Sequence, residues 1–143
     1  MHLPPHLPEH SFSLVIPPDG DMYPINLDPA RALEQMYDHL DCRYVDVVRL
    51  TDRLDMWLDD EGMLCHWVNV PATSLAHLYG FTHQLYFGPV LLCSADPDGN
   101  SMDLPAEIVG ELRDRLRNAT QQPSGNRTTP EQRAQQPPPA TFH

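Results

Sequence analysis

The run Leu54-Asp55-Met56-Trp57-Leu58-Asp59-Asp60-Glu61-Gly62-Met63-Leu64 decides the fold. Leu54, Met56 and Leu58 alternate with Asp55, Trp57 and Asp59, the two-residue period of a strand with one apolar and one mixed face. Asp60-Glu61-Gly62 then breaks the pattern with turn-forming residues, and residues 63–68 are predicted to return as an antiparallel partner. A hairpin with one apolar face belongs to an antiparallel sheet packed on one side.

The neighbouring periodicities extend that sheet. Residues 44–50 are rich in β-branched and aromatic side chains, with Asp46 and Arg49 set among valines, and read as a strand. Phe12, Leu14 and Ile16 alternate, Pro17-Pro18-Asp19-Gly20 turns the chain, and residues 22–27 return as a second strand. Asp28 before Pro29 reads as a helix N-cap with proline at the first helical position. That helix places Ala30, Leu33, Met36, Tyr37 and Leu40 on one face.

Residues 71–79 fit a short helix with Ala72, Leu75, Ala76 and Tyr79 inward and Gly80 as its stop. Residues 84–93 form the most apolar run and are predicted to lie at the sheet centre. Residues 96–103 read as a polar loop. A last helix is predicted from about Asp103 to Arg117, capped by Asp103 or Ser101 and burying Ile108, Val109, Leu112 and Leu116. The order is ββαβββαβα, an α+β fold in which three helices pack on one face of a mostly antiparallel sheet.

A chain of 143 residues has room for one domain with a proper core. Its net charge is −11, and residues 11–117 carry all of it, with eighteen Asp and Glu against seven Arg. The flanks, residues 1–10 and 118–143, hold eight of the sixteen prolines and few apolar groups, and read as disordered. A field of this sign repels phosphate backbones. It argues against direct nucleic-acid binding and against attachment to anionic membrane, and in favour of a protein partner with a basic surface. Every cationic side chain other than histidine is Arg, which GC-rich codon usage explains. Cys42, Cys65 and Cys93 show no C-x-x-C spacing. With no secretory signal and no long apolar run, the expectation is a cytoplasmic protein with reduced thiols.

Four groups of residues invite a chemical reading. Asp59, Asp60 and Glu61 offer hard oxygen ligands for Mg²⁺, or an acid and a base, yet neighbours on a strand point to opposite faces. A solvated hairpin tip is the preferred reading, because turns select Asp and Gly for backbone reasons alone. Asp96, Asp98, Asn100 and Glu107 occupy positions 1, 3, 5 and 12 of an EF-hand calcium loop. Ser101 stands where that loop needs glycine, and a strand precedes it, so a plain strand-to-helix loop is preferred over a Ca²⁺ site. Cys65 and His66, with Cys42, Cys93 and His83, carry zinc-compatible atoms at no zinc-like spacing. Cys42, Cys65 or Cys93 with His66, His77 or His83 is the remaining nucleophile pairing, and no nucleophile elbow or phosphate loop accompanies it. Residues 69–73 read as a loop entering a helix. Tyr86-Phe87-Gly88-Pro89 reads as core or as an exposed aromatic patch.

The series Pro18-Asp19-Gly20, Leu33-Glu34-Gln35-Met36, Tyr44 to Val48, Leu54-Asp55-Met56-Trp57 and Asp59-Asp60-Glu61-Gly62 resembles a small domain of Gram-positive bacteria, their phages and mobile elements. This is the domain of unknown function thirty-eight forty-six. Asn69, Ala72-Thr73 and Phe87-Gly88-Pro89-Val90 continue the pattern, so the resemblance covers residues 13–95. It implies an accessory gene context and carries over no catalytic residue.

These readings converge on a noncatalytic acidic module that binds or regulates a protein, for instance a nucleic-acid-handling enzyme. Mimicry of DNA by spaced carboxylates is a narrower form. The candidate binding residues are Asp59, Asp60, Glu61, Gly62, Asn69 and Gly88. The candidate metal ligands for Ca²⁺ or Mg²⁺ are Asp96, Asp98, Asn100 and Glu107. The alternative is a small metal-dependent enzyme using the Asp59-Asp60-Glu61 turn or the 96–107 loop.

Overall fold

A computed structural model describes residues 11–120, with side chains as far as Arg115. Of the 118–143 tail read as disordered, residues 118–120 are helical, while the readings of residues 1–10 and 121–143 as disordered lie outside the described residues. Within them the strands are β1 (Ser13–Ile16), β2 (Tyr23–Ile25), β3 (Val45–Thr51), β4 (Leu54–Asp59), β5 (Val90–Ala95) and β6 (Ser101–Met102). The helices are α1 (Ala32–Leu40), α2 (Gly62–Cys65), α3 (Val70–Leu78) and α4 (Ala106–Thr120).

The strands form one antiparallel sheet in the order β2-β1-β5-β4-β3, with β6 pairing the end of β5. The class is α+β. β5 is central, as its apolar run requires, and pairs with both β1 and β4. Register keeps the alternation in phase across the sheet: Leu14 opposes Leu92, and Met56 opposes Leu92 from the other side. Leu14, Ile16, Met56, Val90 and Leu92 therefore face one way, where α3 and α4 cover them through Ala72, Leu75, Ala76, Ile108, Val109 and Leu112. Val15, Leu91 and Cys93 face the other way, against Met36 and Leu40 of α1.

The described residues form four helices, and α1 lies on the face opposite α3 and α4, where three on a single face were expected. The reason is in β5 and β1, which are apolar on both sides and so need cover on both.

Five local expectations need correction. Residues 63–68 do not return as a strand; they form α2 and a single bridge between Val68 and Phe87. A Cβ on Gly62 would lie 2.7 Å from the Phe87 carbonyl oxygen, so the turn crosses the 84–87 segment at close range instead of pairing with β4. β5 opens at Val90 and not at Gln84, because Gly88 at φ +80° breaks the extended run.

α1 opens at Ala32, after a turn in which Asp28 accepts the Ala30 N–H through its side chain and the Arg31 N–H through its carbonyl. Its inward residues are then Ala32, Met36 and Leu40 at four-residue spacing, and Leu33 is half exposed. The polar loop contains β6. α4 opens at Ala106 and runs three residues past Arg117. Asp103 does not cap it: the carboxylate accepts from Ser13 Oγ, Asn26 Nδ2 and the Leu27 N–H, fastening β6 to the β1–β2 hairpin.

Candidate functional site

β3 begins and β4 ends beside the 84–87 segment, and a cavity of about 640 Å³ opens there. Asp46 and Leu58 oppose each other in the β3–β4 register, so they share a sheet face. Leu58, Met63, Leu85, Tyr86 and Phe87 give the cavity its apolar lining, and Asp46, Asp59, Asp60 and Gln84 its polar one. Burial pushes the Tyr86 phenol above its ordinary value, against the hydrogen bond from Gln84. The charge in the cavity is accordingly that of the carboxylates.

The three adjacent acids of the turn have separate employments. Asp59 is buried; Oδ1 accepts the Glu61 N–H at 2.8 Å and Oδ2 meets His66 Nε2 at 3.0 Å. Glu61 pairs with Arg43 at 3.3 Å. Asp60 is exposed, and its carboxylate makes no hydrogen bond or ion pair among the described residues. Asp46 accepts only the N–H of Val47, its neighbour on the strand. Asp46 and Asp60 are therefore the carboxylates that the cavity offers to a ligand.

The other candidate binding residues build the site from behind. Asn69 is fully buried at the N-cap of α3; Oδ1 accepts the Ala72 N–H, and Nδ2 donates to the carbonyls of Ile16 and Gly88. Its backbone N–H donates to Tyr86, and Thr73 Oγ1 accepts the Tyr86 N–H, so one cap positions the cavity wall. A Cβ on Gly88 would lie 2.8 Å from the His66 ring. Gly62 and Gly88 are close-approach positions that let α2 and His66 lie against the 84–88 segment.

The 96–107 residues are not brought together as a coordination shell. Asp96 Oδ1 accepts the N–H groups of Asp98 and Asn100, a self-contained turn that holds the Asp96 carboxyl below its ordinary value. Glu107 instead pairs with Arg53. No group of three or more His, Cys, Asp or Glu side chains is spaced to hold a metal ion among the described residues.

The thiols are equally separate. Burial, then Asp59 and Asp41, push Cys42 up to about 11. Burial foremost pushes Cys93 up to about 12. No cysteine sulfur bonds to a histidine ring among the described residues.

What the periodicity missed is the apolar surface beside the cavity. Because residues 62–65 are helical, Met63 and Leu64 are thrown outward, 52% and 64% exposed, and Trp67 is 66% exposed. The Gly88 N–H donates to the Trp67 carbonyl at 2.9 Å, which holds Trp67 beside the 84–88 segment and exposed Leu85. The signal in the sequence was Met63-Leu64, an adjacent apolar pair that no alternating strand can bury on one face.

The sequence matches a family model over residues 12–117. The chain belongs to the domain of unknown function DUF3846. The match reaches beyond the expected 13–95 to take in β6 and most of α4, which accords with α4 covering the core. No curated protein matches this DUF3846 chain, and no solved structure does. No described helix is long and apolar enough to cross a membrane.

Proposed function

We propose that this DUF3846 domain is a noncatalytic protein-binding module, serving as a regulatory accessory of a phage or mobile element. The observation that carries this reading is that Met63 and Leu85, large and exposed, line a cavity that presents Asp46 and Asp60, with exposed Leu64 next to Met63 in the chain and exposed Trp67 held by its carbonyl to Gly88. Exposed apolar side chains gathered at one place mark contact surfaces more often than chance scatter does. Met and Trp are enriched at such surfaces, and an acidic rim selects a basic partner and speeds its approach. The net charge of −11 adds to the same selection at longer range.

The enzyme alternative has less to stand on. Both Asp59 oxygens are engaged, Glu61 is paired with Arg43, and the thiols at Cys42 and Cys93 are held in their protonated form.

The experiment is affinity capture from a host lysate at low and high salt. It uses the wild-type chain and a variant carrying Met63→Ser, Leu64→Ser and Trp67→Ser. The expected result is a partner retained at low salt, weakened at high salt and lost with the variant. Recovery of no partner at low salt, or equal recovery by the variant, sinks the proposal.

A further inference from the structure

We infer that the cavity between the β3–β4 end and the 84–87 segment receives an arginine side chain of the partner, flanked by a bulky apolar residue. This rests on the protein-binding reading and specifies what that surface recognises. The lining contains three carboxylates and no Lys or Arg, so an anionic ligand meets only repulsion there. The nearby Arg43 is occupied by Glu61 and does not neutralise Asp46 or Asp60.

A bare metal ion is poorly served, since Asp59 is tied to His66 and the Glu61 N–H. A guanidinium suits the remaining groups for three reasons. Its planar fork of N–H donors can serve two carboxylates at once, here Asp46 and Asp60. It is weakly hydrated and packs on aromatic faces, and the half-buried Phe87 lines the same cavity. Its aliphatic stem also finds apolar cover at Leu58 and Met63.

The volume has room for a side chain together with its adjoining backbone. About 640 Å³ lies in the range of ligand pockets, and Met63 belongs both to the lining and to the exposed apolar surface. A chain segment entering the cavity therefore continues naturally over Leu64 and Trp67, where a neighbouring Leu or Phe would be sheltered.

The test uses two fluorescent pentapeptides, Gly-Leu-Arg-Phe-Gly and the same peptide with citrulline in place of arginine. Citrulline keeps the shape and removes the charge. Each is titrated into the full chain by anisotropy at low salt, and the contact is mapped by amide chemical shifts. The arginine peptide is expected to bind with shifts at residues 46, 58–63 and 84–87. The citrulline peptide, and the arginine peptide with Asp60→Asn, should each bind more weakly by on the order of tenfold, the scale of a charge-assisted hydrogen bond.

Asp60 is exposed and unbonded, so its variant folds; Asp98→Asn on the distant turn should leave binding unchanged. Equal affinity for the two peptides, no effect of Asp60→Asn, or shifts confined elsewhere would overturn the inference. If the arginine peptide fails while captured partner is still lost with the Met63, Leu64 and Trp67 variant, only this inference falls. If capture itself fails, the protein-binding reading falls as well.

Discussion

The Asn69 side chain donates to the carbonyls of Ile16 and Gly88 and accepts the Ala72 N–H, joining β1, the entry to β5 and the start of α3. All of this is buried, so replacing Asn69 with Ala strands two carbonyls and one N–H out of reach of water. A lost cap is worth about 1 kcal/mol and each unsatisfied buried group at least as much again. Asn69→Ala is therefore expected to destabilise the fold by about 3 kcal/mol, read from the urea midpoint. A loss below about 1 kcal/mol would show that the neighbours re-pair.

The cysteines make a second prediction at this scale. Cys93 and Cys42 are raised from an ordinary value of 9.0 to about 12 and about 11. In the unfolded chain they ionise near 9, while in the fold they stay protonated. Their contribution is fully present below pH 9 and is lost as pH rises from 9 through 11 and 12. Native alkylation at pH 8, followed by mass spectrometry, should modify exposed Cys65 first and leave Cys93 unlabelled. Equal labelling of Cys65 and Cys93 would contradict the burial of β5.

At the level of elements, α4 is fastened to the end of α3 by one side chain. Arg115 Nη1 donates to the Leu78 carbonyl at 2.9 Å, and its guanidinium lies 4.4 Å from the Tyr79 ring centre. A free helix-end carbonyl and an aromatic face are thus served together. Arg115→Ala should cost about 1–2 kcal/mol in thermal or urea unfolding, and Arg115→Lys should recover little of it, since a point charge lacks the planar fork. Full rescue by Lys would show that charge alone matters.

Elements of this kind were visible in the sequence to different degrees. β1, β3, β4 and the centrality of β5 followed from alternation and apolar runs, because a sheet face imposes its period directly on the residues. α2 did not, because a four-residue helix is too short for any period. What sets it is the contact of Gly62 with the Phe87 carbonyl, a partner 25 positions away that no local pattern reveals. The candidate site was legible only in its acids. Asp59 and Asp60 stand side by side in sequence and part company in the fold, one tied to His66 and one free. The apolar half, Met63 and Trp67, was hidden by assigning those residues to a strand.

Over the whole molecule, the charge is lopsided in a way that the ion pairs do not repair. Eighteen acids face seven arginines between residues 11 and 117, leaving −11 on the folded part. Arg31, Arg43, Arg49, Arg53 and Arg115 each sit beside a carboxylate, but all five guanidinium groups are substantially exposed. Such pairs contribute about 0–1 kcal/mol each and are themselves weakened by salt. The remaining repulsion acts over the whole domain and favours expansion, and it too is screened, with a Debye length near 10 Å at about 0.1 M salt. Because unpaired acids outnumber the pairs, screening should remove more repulsion than attraction. The melting temperature is therefore expected to rise as NaCl goes from about 0.02 M to about 0.3 M, a range in which Debye screening dominates over effects on apolar hydration. Partner capture should weaken over the same range, since that attraction is between opposite charges. A melting temperature that falls with NaCl would mean that the exposed arginine pairs outweigh the net charge, and the acidic surface would then be a stabilising network more than a field waiting for a basic partner.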